Sequence, residues 1–151
     1  MLIGLLIGSL AISVNLAIQV LALVLVIRYL VGRQQRATGG TGLAADIGIV
    51  GTVLAVLLAG HLLQFTTWAL LFMVLGEFAD METALYHSVV NFTSLGYGDI
   101  VMSPRWRLLG GLEAANGVLM FGVTTGSLMA VMSRLFVRHT DHLQGQDESA
   151  P

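Results

Sequence analysis

Three long apolar runs separated by short polar stretches set the plan of this chain. They cover about Leu2 to Ile27, Ile47 to Leu75 and Leu108 to Phe136. Runs of this length read as membrane-crossing helices rather than as strands or core helices. At about 1.5 Å rise per residue each is longer than the roughly 30 Å hydrocarbon layer, which predicts tilt or protruding ends. Between the second and third runs, Gly76 to Arg107 mixes polar and apolar positions. Its helical part, 81–93, is too short to cross a bilayer and is therefore re-entrant or lies at the surface. The expected architecture is an all-α membrane protein. An extra N-terminal helix occupies 1–31, a linker 32–46, and a compact unit 47–136. That unit holds a helix at 47–76, the short helix at 81–93, a loop at 94–99 and a last helix at 107–136. A polar tail, 137–151, is expected to be disordered.

The first run lacks the basic start of a signal peptide and is too long for its apolar part. It ends in Ile27-Arg28-Tyr29-Leu30, which reads as an interfacial anchor, so a retained helix is expected. The linker carries Arg33, Arg36 and Gly39-Gly40-Thr41-Gly42, a flexible, cationic composition. Arg28, Arg33 and Arg36 follow the first helix, and Arg134 and Arg138 close the third. Cationic flanks stay on the cytoplasmic side, which predicts an outer N-terminus and an inner C-terminus in a multi-pass cell-membrane protein. Arg105 and Arg107 fall on the other side and oppose this orientation, but they are outnumbered.

Composition narrows the function classes. The chain is 56% hydrophobic and 11% charged, against about 25% charged in ordinary globular domains. Net charge is −2 with no basic patch, so no nucleic-acid partner is expected. Cysteine is absent, which removes disulfides, thiolate catalysis and Cys-based metal sites. There is no nucleophile–base pairing, phosphate loop or metal-spaced histidine cluster; His139 and His142 are a weak tail pair. No catalytic residue and no cofactor is expected. The first helix holds no ladder of arginines and is no voltage sensor. The tail after Val137 is too short for a ligand-binding gating domain.

The chemistry concentrates in Thr93-Ser94-Leu95-Gly96-Tyr97-Gly98-Asp99. In isolation, Gly-Tyr-Gly is a turn with an aromatic in it. Placed after a short helix and between two spanning helices, it matches the plan of a potassium filter. Such a filter strips water from the ion and substitutes rings of backbone carbonyls. Here those carbonyls would come from Ser94, Leu95, Gly96 and Tyr97, with Gly98 completing the loop. Alternating left- and right-handed backbone turns successive carbonyls toward one axis, which asks for glycine at Gly96 and Gly98. The Ser94 hydroxyl can add an oxygen ring at the inner end, while Leu95 and Tyr97 brace the loop from behind. Asp80 can cap the short helix, with Glu82 in its first turn. The helix's negative end near Thr93 then faces the membrane centre, where a cation would wait.

The stretch Ala84-Leu85-Tyr86-His87-Ser88-Val89-Val90-Asn91-Phe92 leads into this motif, and 47–136 as a whole resembles the two-helix pore module of the potassium-channel superfamily. The usual filter reads Thr-Val-Gly-Tyr-Gly-Asp; Ser94 and Leu95 replace its first two residues. Where some members place a glutamate that pairs with the aspartate, this chain has Val90. The resemblance implies instead that Tyr86 bonds Asp99. It also aligns Gly117 with a gating glycine, beside a packing reading of equal weight. His87 reads as a packed residue rather than an ion ligand or pH sensor.

On the last helix, Glu113, Asn116, Gly117, Met120, Thr124, Ser127 and Val131 share one stripe at 100° per residue. It holds most of the helix's polar groups, so it is expected to line the pore. Gly111, Ala115, Gly122, Gly126 and Ser133 lie nearly opposite and would admit a neighbouring helix. An ionisable Glu113 within an apolar helix is expected to stay hydrated, pair with Arg107, or stand behind the filter. Asn15 and Gln19, one turn apart, are candidates for bonding a neighbouring helix, and His61 reads as a buried contact.

One chain supplies one filter loop and a carbonyl ring needs four, so a homotetramer in the bilayer is expected, conducting K+. Two rival readings remain open: a weakly selective cation channel of the same fold, and a non-conducting membrane scaffold that keeps the motif as a turn.

Overall fold

The computed structural model describes residues 1–36 and 42–147; most of the glycine-rich linker and the last four residues lie outside that range. Four helices make up the chain: α1 (Leu2–Arg36), α2 (Leu43–Val74), α3 (Met81–Phe92) and α4 (Arg107–Asp147). Among the described residues there is no strand. Three helices are long and apolar enough to cross a membrane, over Leu2–Arg33, Leu43–Val74 and Arg107–Val137. The helices outrun their apolar runs. Gln and Arg at the end of α1 are good helix formers, so the coil boundary falls after the polar flank rather than before it. The backbone of α4 likewise stays helical to Asp147, where a disordered tail was expected from 137 onward.

Side-chain contacts fix the relative directions. At the start of α1, Gly8 faces Leu109 and Leu112 near the start of α4, so the two helices run parallel. Further along, Ala22 meets Gly60 of α2. Val26, late in α1, packs with Ile49, Val53 and Leu57 early in α2 and with Val131 late in α4. Helix α2 therefore runs antiparallel to both. The short α3 packs between the end of α2 and the start of α4 and has no contact with α1.

The core is divided accordingly. At the α3 end, Phe65, Trp68, Phe72, Phe92, Trp106, Leu109 and Met120 form an aromatic-rich cluster. At the other end the smaller aliphatic cluster around Val53 and Leu57 holds α1, α2 and α4 together. Large apolar side chains such as Leu6, Leu10, Leu58, Leu62 and Val74 point outward. In a membrane protein that is the surface meeting lipid or a neighbouring subunit, since hydrocarbon is as apolar as leucine.

Midway along the bundle, four polar side chains from three helices close a ring. The Gln64 amide donates to Gln19 Oε1 at 3.0 Å, and the Gln19 amide donates to Thr124 Oγ1 at 3.2 Å. Thr124 Oγ1 lies 3.0 Å from His61 Nε2, and His61 Nδ1 lies 3.0 Å from Gln64 Oε1. One proton arrangement satisfies every member: a neutral His61 donates from Nδ1 to Gln64, and the Thr124 hydroxyl donates to Nε2. Gln64 also donates to the Asn15 carbonyl at 3.2 Å. Bonds of this kind between membrane helices contribute about 0.6 kcal/mol each. The ring joins the extra helix α1 to both helices of the unit behind it.

Candidate ion-conducting site

Helix α3 begins as its sequence dictates. Asp80 is the N-cap, and its side chain accepts from Thr83 N at 2.8 Å. That backbone bond holds the Asp80 carboxyl below the usual carboxylate range. At the other end Thr93 caps the helix and its hydroxyl donates back to the Val89 carbonyl at 2.7 Å. The chain then turns into 94–99, where Ser94, Gly96 and Gly98 have φ of 58°, 61° and 73°. Every second residue is thus left-handed. Gly96 and Gly98 adopt this at no steric cost, whereas Ser94 bears a cost of about 1–2 kcal/mol.

Backbone bonds tie the loop to the helix that precedes it. Leu95 N and Gly96 N both donate to the Val90 carbonyl, at 3.0 and 3.4 Å, and Ser94 N donates to Asn91 O at 2.8 Å. Val90 thus supports the loop through its main chain, its buried side chain offering no acid. The side chains of Leu95 and Tyr97 are 54% and 68% exposed. Within one chain, therefore, they are only partly covered.

Beyond the loop the supports are side chains. The Tyr86 hydroxyl donates to Asp99 Oδ2 at 2.7 Å, and Asp99 Oδ1 accepts from Ile100 N at 3.0 Å. The phenol bond keeps the Asp99 carboxyl below its ordinary range and pushes the Tyr86 hydroxyl up. His87 Nδ1 lies 3.2 Å from the Ile100 carbonyl, and His87 Nε2 lies 3.1 Å from Asn91 Nδ2. Phe72 and Phe78 flank the imidazole. In the α2–α3 turn, Glu77 accepts from Ser103 N at 2.7 Å and from Ser103 Oγ at 2.6 Å, fastening the returning loop before α4.

Glu113 stands behind the loop, fully buried. Its Oε1 lies 2.5 Å from Ser88 Oγ, which is also 2.9 Å from the Phe65 carbonyl of α2. Ser88 has one hydrogen and two acceptors beside it. A protonated Glu113 donating to Ser88, with Ser88 donating to Phe65 O, accounts for all three oxygens. The Asn91 amide lies against the same carboxyl.

Several expectations for α4 are overturned. Asn116 is 2% exposed and Met120 0%, both inside the chain rather than on a free face. Gly117 is buried, and a Cβ there would overlap the Phe92 carbonyl. The packing reading of Gly117 is the one the structure takes. Thr124 is engaged by Gln19 and His61, and Val131 belongs to the inner aliphatic core. Ser127 is half-buried and donates to its own helix at Val123 O, 2.7 Å away. The polar stripe is the face turned toward α1, α2 and α3. The opposite face, with Ala115, Val118, Gly122, Thr125, Gly126 and Met129, is open. A Cβ on Gly122 or Gly126 would meet nothing within 4 Å.

The sequence reading did not anticipate Gln64, Glu77, Ser103, Asn91 or the contact of His87 with Ile100. Ser103-Pro104 before α4 carries the pattern of a helix start, which was a usable signal for Ser103. The rest depend on meetings between distant segments.

A family model described as "Ion channel" matches residues 51–134, more than half of the chain. The chain belongs to this ion-channel family. Its match covers most of α2, all of α3, the Gly-Tyr-Gly loop and the spanning part of α4, a potassium-channel-type pore module. Membership makes the chain a passive conductor and not an enzyme. All of α1 lies outside the matched range. No curated protein and no solved structure matches it.

Proposed function

We propose that this ion channel is a homotetramer selective for K+, with 94–98 as its selectivity filter. The observation that carries this is the alternation of left-handed residues at Ser94, Gly96 and Gly98, directly after a capped short helix. That alternation is what lets carbonyls of Ser94, Leu95, Gly96 and Tyr97 share one axis and replace an ion's water. Helix α3 then acts as the pore helix, its carbonyl end adding negative potential beneath the filter. Exposed Leu95 and Tyr97 support assembly, because three further copies would bury them and complete the ring.

The open face of α4, around Ala115, Gly122 and Gly126, then meets the water column and the neighbouring inner helices. Small residues suit both purposes, giving width to the path and close approach between helices. The polar stripe on the other side is the subunit's own interior. Arg28, Arg33 and Arg134 lie at the end of the bundle opposite the loop, which supports an external filter and an inner C-terminus in the cell membrane.

Purified protein in liposomes tests the proposal. The expected result is potassium flux blocked by barium, with a reversal potential near that for potassium and far from that for sodium. Comparable sodium and potassium permeation would assign the weakly selective channel, to which Ser94 and Leu95 in place of the usual residues would then be attributed. A stable assembly without flux would leave only a scaffold.

A further inference from the structure

Among the described residues, five buried side-chain polar atoms have no hydrogen-bond partner: Asn15 Oδ1, Trp68 Nε1, Glu113 Oε2, and Asn116 Nδ2 and Oδ1. They come from three helices, and the packing puts them in one layer. Gly8 of α1 meets Leu109 and Leu112 of α4, and Gln19 of α1 bonds Thr124 of α4. These two helices run in parallel, so Asn15, between Gly8 and Gln19, stands level with about 116–120 of α4. From α2, His61 lies against Thr124 and Gln64 donates to the Asn15 carbonyl. Helix α2 runs the other way, so Trp68, one turn beyond Gln64, falls within about a turn of the level of Asn116.

The side chains also share a direction. Asn116 lies seven residues after Leu109, and therefore on the side of α4 that meets α1. Glu113 is three residues before Asn116 on the same face. None of the four residues is more than 2% exposed, so the layer is closed both to lipid and to outside water. It adjoins the closed ring of Gln19, His61, Gln64 and Thr124 on the side toward α3.

The mixture of atoms selects the ligand. The Trp68 indole and the Asn116 amide nitrogen can only donate. Asn15 Nδ2 donates to Ala11 O at 3.0 Å, which leaves Oδ1 as an acceptor. Glu113, with its hydrogen directed to Ser88, leaves Oε2 as an acceptor too. A cation here would face two N–H groups, an anion would face three oxygens, and an apolar filling would leave all five atoms unpaired, each at a cost in free energy. Water both donates and accepts. A buried water makes about three hydrogen bonds, so five such atoms call for about two. We propose that this layer is a binding site for buried water, which joins α1 to α2 and α4 inside the membrane. Asn15 is the share of α1, the helix outside the matched family range, so the site belongs to the three-helix subunit and not to the pore module by itself.

The experiment uses the full chain in liposomes with isotope-labelled tryptophan, and reads magnetisation transfer from water protons to the indole N–H groups by solid-state NMR. The chain has two tryptophans, Trp68 and Trp106, and either Trp68→Phe or Trp106→Phe assigns the two signals. The Trp68 N–H is expected to receive magnetisation from water at short mixing times although its ring is wholly buried. Asn116→Leu puts an apolar side chain into the layer and should reduce that transfer several-fold. Should this variant fail to assemble, Asn15→Leu makes the same test from α1. A Trp68 N–H without water contact in wild type, or with an undiminished contact in the leucine variant, overturns the inference. No ion flux enters these readings, so their outcome is independent of the filter assignment.

Discussion

Two buried polar clusters, one at mid-bundle and one between α3 and α4, are built from similar residues and behave as opposites. In the ring of Gln19, His61, Gln64 and Thr124, every side-chain nitrogen and oxygen has a partner within the chain. In the second cluster, on α4, Glu113 Oε2 and both side-chain polar atoms of Asn116 have none. A closed ring has one proton arrangement and nothing left to offer, so its work is to hold α1, α2 and α4 in register. The second cluster retains unsatisfied groups. Completeness marks the ring as a structural joint, while Glu113, with an open oxygen, lies against the helix that carries the loop.

The comparison is broken most severely at Gly117. A methyl group there overlaps the Phe92 carbonyl at the end of the pore helix, and backbone cannot step aside as a side chain does. Gly117→Ala should lower stability by about 1–3 kcal/mol or more and abolish conduction, read from tetramer yield and liposome flux. If Gly117 served as a hinge alone, alanine would alter gating and leave assembly intact.

Substitution of the two clusters should then separate stability from conduction. Gln64→Leu leaves His61 Nδ1 and Gln19 Oε1 without partners, at a cost of about 1–3 kcal/mol. The thermal unfolding temperature in detergent should fall, while the ion selectivity of the channels that remain is unchanged. Glu113→Ala removes the Ser88 partner and should raise inactivation, whereas Glu113→Gln, which can still donate to Ser88, should conduct nearly as wild type. Equal conduction in Glu113→Ala and wild type would remove Glu113 from the filter's support.

The smallest expected effect belongs to Tyr86→Phe. It removes an exposed bond to Asp99 and should speed inactivation modestly. Between about pH 5 and pH 8 its effect should be constant, because the depressed Asp99 carboxyl titrates only in more acid solution.

Much of the fold was legible in the pattern of apolar runs: three spanning helices, a short helix capped by Asp80, and left-handed glycines at 96 and 98. The filter motif was legible because its geometry demands particular residues. The face of α4 was read backwards, for a reason specific to membranes. In water a polar stripe on a helix faces solvent. In a bilayer, Asn116 and Thr124 are the groups that must be hidden from lipid, and the subunit interior hides them as well as a pore does. Ser94 carried no signal because serine stands at the left-handed position of the α3 cap where glycine is usual, and the pairing of Gln64 with Gln19 depends on which helix lies alongside. Asn15, Gln19 and His61 were visible as polar intruders, but not as parts of one assembly.

The central claim is that the Ser94–Gly98 loop of four copies forms a potassium filter. Its most direct test is the reversal potential of the reconstituted channel with potassium on one side and sodium on the other, in wild type and Gly96→Ala. The account predicts strong potassium selectivity in wild type and loss of conduction or of selectivity in Gly96→Ala, because φ at Gly96 is 61° and an alanine there is strained. Unchanged, potassium-selective current in Gly96→Ala would contradict it.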